Sequence, residues 1–158
     1  MAIRKIVTIG DEVLRKKSRP VVNFNEKLWQ LLDDMKDTMN KAEGVGLAAV
    51  QVGVLRRVIV IDVGDGLIEL INPEIIEVSG EQEGQEGCLS VPGRWGIVKR
   101  PNYVKLRAQN RKGQWKLYEG TELKARAFCH EIDHLDGTLY VDVETKELTA
   151  DEILAERN

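Results

Sequence analysis

Cysteine is scarce: Cys88 and Cys129 are the only two in 158 residues. So small a set in a reducing compartment builds no disulfide framework, and each thiol needs its own explanation. Long apolar runs are missing too. The opening MAIRKIVTIGDEVLRKKSR contains none of signal-peptide length, and no segment approaches a membrane span. A cytoplasmic protein with no membrane partner is therefore expected. Nor is there an excess of basic charge: 23 basic against 26 acidic residues give a net charge of −3, and the pI is about 5.5. That argues against a large nucleic-acid footprint, so no nucleic-acid specificity is expected. Internal repeats and low-complexity linkers are also lacking, and the length suits one domain with an ordinary core.

What the sequence does contain begins with a clear helix. In EKLWQLLDDMKDTMNK (26–41), Leu28, Leu31, Leu32, Met35 and Met39 fall at helical spacing and make one apolar stripe. Asn25 is placed to cap it, Phe24 to staple onto Trp29, and Glu43-Gly44 to end it. This element reads as packing. The middle is β-rich. RRVIVIDV (56–63) and LIELINP (67–73) flank a Gly-Asp-Gly turn, and EIIEVSG (74–80) follows. YVKLRAQN (103–110) and QWKLYEG (114–120) are joined by Arg111-Lys112-Gly113. A second helix is expected over about 121–135, TELKARAFCHEIDHL, closed by Gly137, with Leu123, Ala127, His130 and His134 on its core face. From about residue 144 a short polar tail is expected, its ELTADEILAERN a polar helix or a frayed end. Strands followed by one buried helix predict a single α+β domain over 1–158.

Histidine is as scarce as cysteine, and both copies fall in HEIDH (130–134). Helical spacing puts the two imidazoles on one face, about one turn apart, where they can share a metal ion. Glu131 is then beside any water at that ion. The plain alternative is two histidines hydrogen-bonded to their neighbours. A catalytic metal usually takes three protein ligands and keeps one position open. One source for the third is the tail, with Glu144, Glu147, Glu152 and Glu156, which would suit a zinc endopeptidase. The better source is Cys88 in EGCLSVPG (86–93), a flexible, extended segment whose thiolate suits a borderline divalent metal. Cys129 points about 100° away from His130 and reads as a small buried apolar side chain. A structural metal normally has four protein ligands; only three good ones are present, which favours catalysis.

GVGLAAVQVG (44–53) has the look of a phosphate loop but lacks its Gly-Lys-Ser/Thr ending and does not follow a strand. Its glycines would instead let backbone approach a ligand. Gln51 supplies the one side-chain amide, which beside a metal can donate to a developing oxyanion.

Taken together, GVGLAAVQ, EGCLS and HEIDH, in that order, resemble the three signature motifs of the peptide deformylase family, and IVTIGDEVLRKKSRPV resembles that family's opening. The resemblance runs from about residue 3 to about 143. It implies an α+β fold in which antiparallel sheets surround the motif helix. It implies Cys88, His130 and His134 as metal ligands, Glu131 as general acid and base, and Gln51 with the Leu89 N–H as oxyanion donors. The implied metal is Fe²⁺, with Zn²⁺, Ni²⁺ or Co²⁺ as substitutes. The implied activity removes the formyl group from the N-terminal formyl-methionine of nascent polypeptides and releases formate.

Gly46 would shape the edge that binds the substrate. The peptide is expected to add as a strand along 43–46 or 86–88, which brings in Gly44, Glu86 and Gly87. Val45, Leu123 and Ala127 are the candidates for a methionine pocket, with core packing as their plain alternative. Glu86 and Arg100 would pair behind the site. Val50 stands where the family commonly has proline, which restores an N–H and loosens φ beside Gln51. The basic C-terminal helix that some members use for ribosome docking has no counterpart in ADEILAERN, so ribosome contact is expected to be transient at most.

Overall fold

The computed structural model of the chain describes residues 2–149 and 151–152. Among these, no helix is long and apolar enough to cross a membrane. Helix α1 (Glu26–Lys41) has the expected bounds, and the Asn25 side chain accepts a hydrogen bond from the Leu28 N–H. The five stripe residues are all buried. Phe24 and Trp29 both pack against the cluster they form.

Two antiparallel sheets follow. The larger has the order β1-β2-β3-β6-β7, with β1 Gly46–Ala48, β2 Val58–Ile61, β3 Ile68–Ser79, β6 Tyr103–Gln109 and β7 Trp115–Thr121. The smaller has the order β4-β5-β8, with β4 Gln82–Cys88, β5 Val91–Arg100 and β8 Lys146–Glu147. Helix α2 is Glu122–Leu135, and a short α3 is Tyr140–Val143. The architecture is α+β, as expected.

The run VIVI explains how the layers stack. In a strand, alternate side chains face opposite ways. Val58 and Val60 join the cluster made by α1, whereas Ile59 and Ile61 join Ala125, Ala127, Phe128 and Cys129 of α2. All four are fully buried. Strand β2 is thus covered on both faces, which is why it lacks polar alternation.

Three expectations need correcting. The segments 67–73 and 74–80 are one strand, β3. Pro73 has no N–H for the ladder and Asn72 has φ 53°, so the pairing with β6 slips between Ile71 and Glu74 while the strand continues. Asn72 repairs the break: its side chain accepts from the Val21 N–H and donates to the Val21 carbonyl and Gln109 Oε1. Leu123 is half exposed and not part of the core face, because the first turn of α2 reaches past the packed layers. The polar tail from 144 starts as an ordered strap, with β8 pairing to Gly96 and Ile97 of β5. Residues 150 and 153–158, most of the expected end of the tail, lie outside the described residues.

Double-sided burial of β2 gives a stability test. Ile59→Ala should lower the unfolding free energy by about 2–5 kcal/mol in urea titrations. A loss well under about 1 kcal/mol would mean that α2 does not cover this face.

Candidate metal centre

Helix α2 carries His130, Glu131 and His134 into the interior, where all three are buried. Strand β4 ends at Cys88, directly across from them. Cys88 Sγ lies 3.3 Å from His134 Nε2, and one ligand atom from each of Cys88, His130 and His134 fits within 4.8 Å of the others. No other His, Cys, Asp or Glu group among the described residues forms such a cluster. A thiol and two imidazoles so close suit a divalent ion of borderline softness. The tail glutamates are engaged elsewhere. Glu144 and Glu147 pair with Arg94, and Glu152 pairs with Lys146. Glu156 lies outside the described residues.

Behind the cluster sits Glu86, itself buried. Its carboxylate accepts two bonds from Arg100, at 2.9 and 3.0 Å, and a third from Arg126 Nη1 at 2.6 Å. It also meets His130 Nδ1 at 2.8 Å. Burial alone would raise the Glu86 carboxyl, but the hydrogen bonds from His130 and Arg100 outweigh it and bring the pKa down to about 2. An ionised carboxylate only accepts, so Nδ1 carries the proton and His130 keeps Nε2 for a ligand. Arg100 extends the network to Asp133 Oδ2 at 2.7 Å. The Glu86–Arg100 pair was expected; Arg126 and Asp133 were not. Their signal lay in the helix register: they sit four residues before and three after His130, both within one turn of it.

The neighbours favour positive charge here. Burial opposes protonation of His130, yet its contact with Cys88 and the charges of Glu131 and Glu86 raise its pKa well above the ordinary imidazole value. His134 goes the other way, pushed well below that value by burial, with His130 and Arg100 adding to the effect. A site that attracts a proton between a thiol and carboxylates also fits a metal cation.

Glu131 faces the same space. Burial pushes its carboxyl up to about 7, against the pull of His130. Its Oε1 is buried with no hydrogen-bond partner among the described residues. A Cβ on Gly46 would fall 2.6 Å from Glu131 Oε2, so only glycine leaves room for that carboxylate. Gln51 is buried and held at both ends of its amide. Its Oε1 accepts from the Ala48 N–H at 3.0 Å, and its Nε2 faces Ser90 Oγ at 3.1 Å and Cys88 Sγ at 3.6 Å. Val50 therefore does not leave the side chain loose. Ser90, fully buried, is a support that the sequence reading gave no role.

One cavity of about 490 Å³ opens over the cluster. Gly44, Val45 and Gly46 line one side, Glu86, Gly87, Cys88 and Leu89 another, and Leu123 and Ala127 of α2 a third. Ala127 is buried, while Val45 and Leu123 stand half exposed at the rim. Strands β1 and β4 are both outer strands of their sheets, so their free edges border this cavity. The Glu86 side chain is turned inward to its four partners. Cys129 is buried among apolar residues, as expected, and burial pushes its thiol up to about 11.

The geometry has counterparts in known proteins. The family model described as Polypeptide deformylase matches residues 3–149. The peptide deformylase of Caldicellulosiruptor bescii is 56% identical over 158 residues, covering 100% of this chain and 95% of that protein. The peptide deformylase of Alkaliphilus metalliredigens is 60% identical over 147 residues, covering 93% of this chain and 100% of that protein. The crystal structure of peptide deformylase from Thermotoga maritima superposes with a TM-score of 0.89 at 41% identity, over 90% of this chain and 98% of that one. All three motifs fall within the matched residues, along with the sheets and helix that hold them, and the chain belongs to the polypeptide deformylase family.

Proposed function

We propose a residue-level account of how this metal-dependent hydrolase removes the formyl group from N-terminal formyl-methionine of nascent polypeptides. Cys88, His130 and His134 would hold one divalent ion. When bound, such an ion supplies a Lewis acid and makes water nucleophilic near neutral pH. Fe²⁺ is the proposed ion, with Zn²⁺, Ni²⁺ or Co²⁺ as substitutes. The donor set suits all of these, and the family resemblance favours iron.

Glu131 is the proton carrier. A carboxyl near 7 both takes and returns a proton at working pH. It accepts one as water adds to the formyl carbon, and delivers it to the departing amine nitrogen. Gln51 Nε2 and the Leu89 N–H donate to the oxygen on which charge develops. The formyl carbon bears only hydrogen, so a narrow site admits it while an internal amide is excluded. The peptide backbone adds to the free edge of β1 or β4, and Val45, Leu123 and Ala127 contact the methionine side chain. The enzyme works in the cytoplasm, with at most transient ribosome contact.

The observation that carries this account is the buried, unpartnered Glu131 Oε1 beside the Cys88–His130–His134 cluster. The test is formate release from a formyl-methionyl tripeptide by anaerobically purified protein, with metal measured on the same sample. One iron per chain, and activity abolished in Glu131→Ala with metal retained, is the expected result. Cys88→Ser should lose or sharply weaken metal. Full occupancy without formate release, or unchanged metal in Cys88→Ser, would overturn the assignment. Gly46→Ala should cost about a hundredfold in kcat, because it displaces Glu131 while leaving the ligands in place. Near-normal kcat would remove Glu131 from that position during turnover.

A further inference from the structure

The cavity has a wall that the catalytic account does not use. It is formed by Arg94 and Trp95 of β5, at the rim away from α2. Trp95 lies across the neighbouring strand: a Cβ on Gly87 would fall 2.5 Å from the indole Nε1. The indole therefore borders the β4 edge, one residue before Cys88.

This wall is held from outside by the strap of residues 140–148. The Tyr140 hydroxyl donates to the Arg94 carbonyl at 2.9 Å. The Leu148 N–H donates to the Trp95 carbonyl at 2.9 Å, and the Thr145 N–H to the Ile97 carbonyl at 2.7 Å. Glu144 ties the side chains together. Its Oε1 takes an ion pair from Arg94 Nη2 at 2.5 Å, with Glu147 adding a second contact at 3.3 Å. Its Oε2 occupies the place where a Gly96 side chain would be, since a Cβ there would come within 2.0 Å of it. The Glu144 side chain is only 10% exposed, so this is a packed joint and not a solvated surface pair. Tyr140 is fully buried and stacks on the His130 ring at 6.2 Å, so the strap is anchored against the metal-site helix.

We infer that the 140–148 strap, acting through Glu144 on Arg94 and Gly96, positions Trp95 as the wall that meets the peptide residues beyond the methionine. Glu144 is then a positioning residue for recognition of the extended peptide, and Trp95 a specificity-determining one. The inference rests on the cavity being the peptide site. A peptide added along the edge at Glu86–Gly87 carries its first residue over the cluster and its following residues outward past Trp95. A flat indole there favours apolar or planar side chains in those positions. The chemistry at the formyl group lies on the α2 side and does not involve this wall.

The test compares two substrates that differ only in length: a formyl-methionyl tripeptide with an apolar second residue, and formyl-methionine methylamide. Glu144→Ala should raise KM for the tripeptide about tenfold, with kcat within twofold. For the methylamide, kcat/KM should stay within twofold of wild type. Glu144→Gln, which keeps the length and an acceptor for Arg94, should restore most of the tripeptide KM. Trp95→Ala should match Glu144→Ala, and the double variant should be no worse than Trp95→Ala alone, because both act through one wall. Should Glu144→Ala fail to fold, Arg94→Gln breaks the same joint from the other side and should give the same split. Equal losses on the two substrates, additive effects in the double variant, or an unchanged tripeptide KM would each overturn the inference. Wild-type protein that releases no formate from the tripeptide would instead overturn the functional reading on which it rests.

Discussion

The Glu86 carboxylate is the interaction on which the rest of the site depends. It is buried, ionised and shared among two guanidinium groups and one imidazole. A buried charge of this kind is tolerated only when its lone pairs are filled, and here all the partners come from different elements. Arg100 is on β5, Arg126 and His130 are on α2, and Glu86 itself is on β4. One carboxylate therefore fixes the register of the small sheet against the motif helix. The same contact settles which nitrogen of His130 carries the proton, so structural and chemical roles meet in a single group.

Around this anchor, the larger sheet supplies rigidity. Its strand β2 is packed by α1 on one face and α2 on the other. Helix α2 is thereby pinned from two sides, by apolar contacts to the large sheet and by ionic contacts to the small one. Strand β1 brings Gly46 against Glu131, and the turn after it brings Gln51 against Cys88. The reacting groups are thus carried on regular elements whose positions the core determines.

Much of this was legible in the sequence where a local pattern carried it. The α1 stripe and its Asn25 cap gave the helix bounds, and HEIDH placed both histidines on one helix face. Strand β5 was harder to see, because Pro92, Gly93 and Gly96 and the charges of Arg94, Lys99 and Arg100 break any alternation. It is held by β4 on one side and β8 on the other, which no local pattern records. Arg126 looked like an ordinary exposed charge on a helix; burial against Glu86 is a tertiary fact. The strap was hidden for the same reason, since its acidic residues find their partner, Arg94, some 50 positions away. Pro73 suggested a break between two strands, yet Asn72 bridges it with side-chain bonds.

The most direct test of the central claim is the metal dissociation constant of Glu86→Gln, by chelator competition on the folded protein, beside wild type. An amide in place of the carboxylate keeps the shape but loses the charge that orients His130 and holds both arginines. The account predicts metal affinity about 10–100-fold weaker, with the melting temperature still well above that of the assay. Affinity equal to wild type would contradict it, and would mean that His130 is oriented by the helix alone.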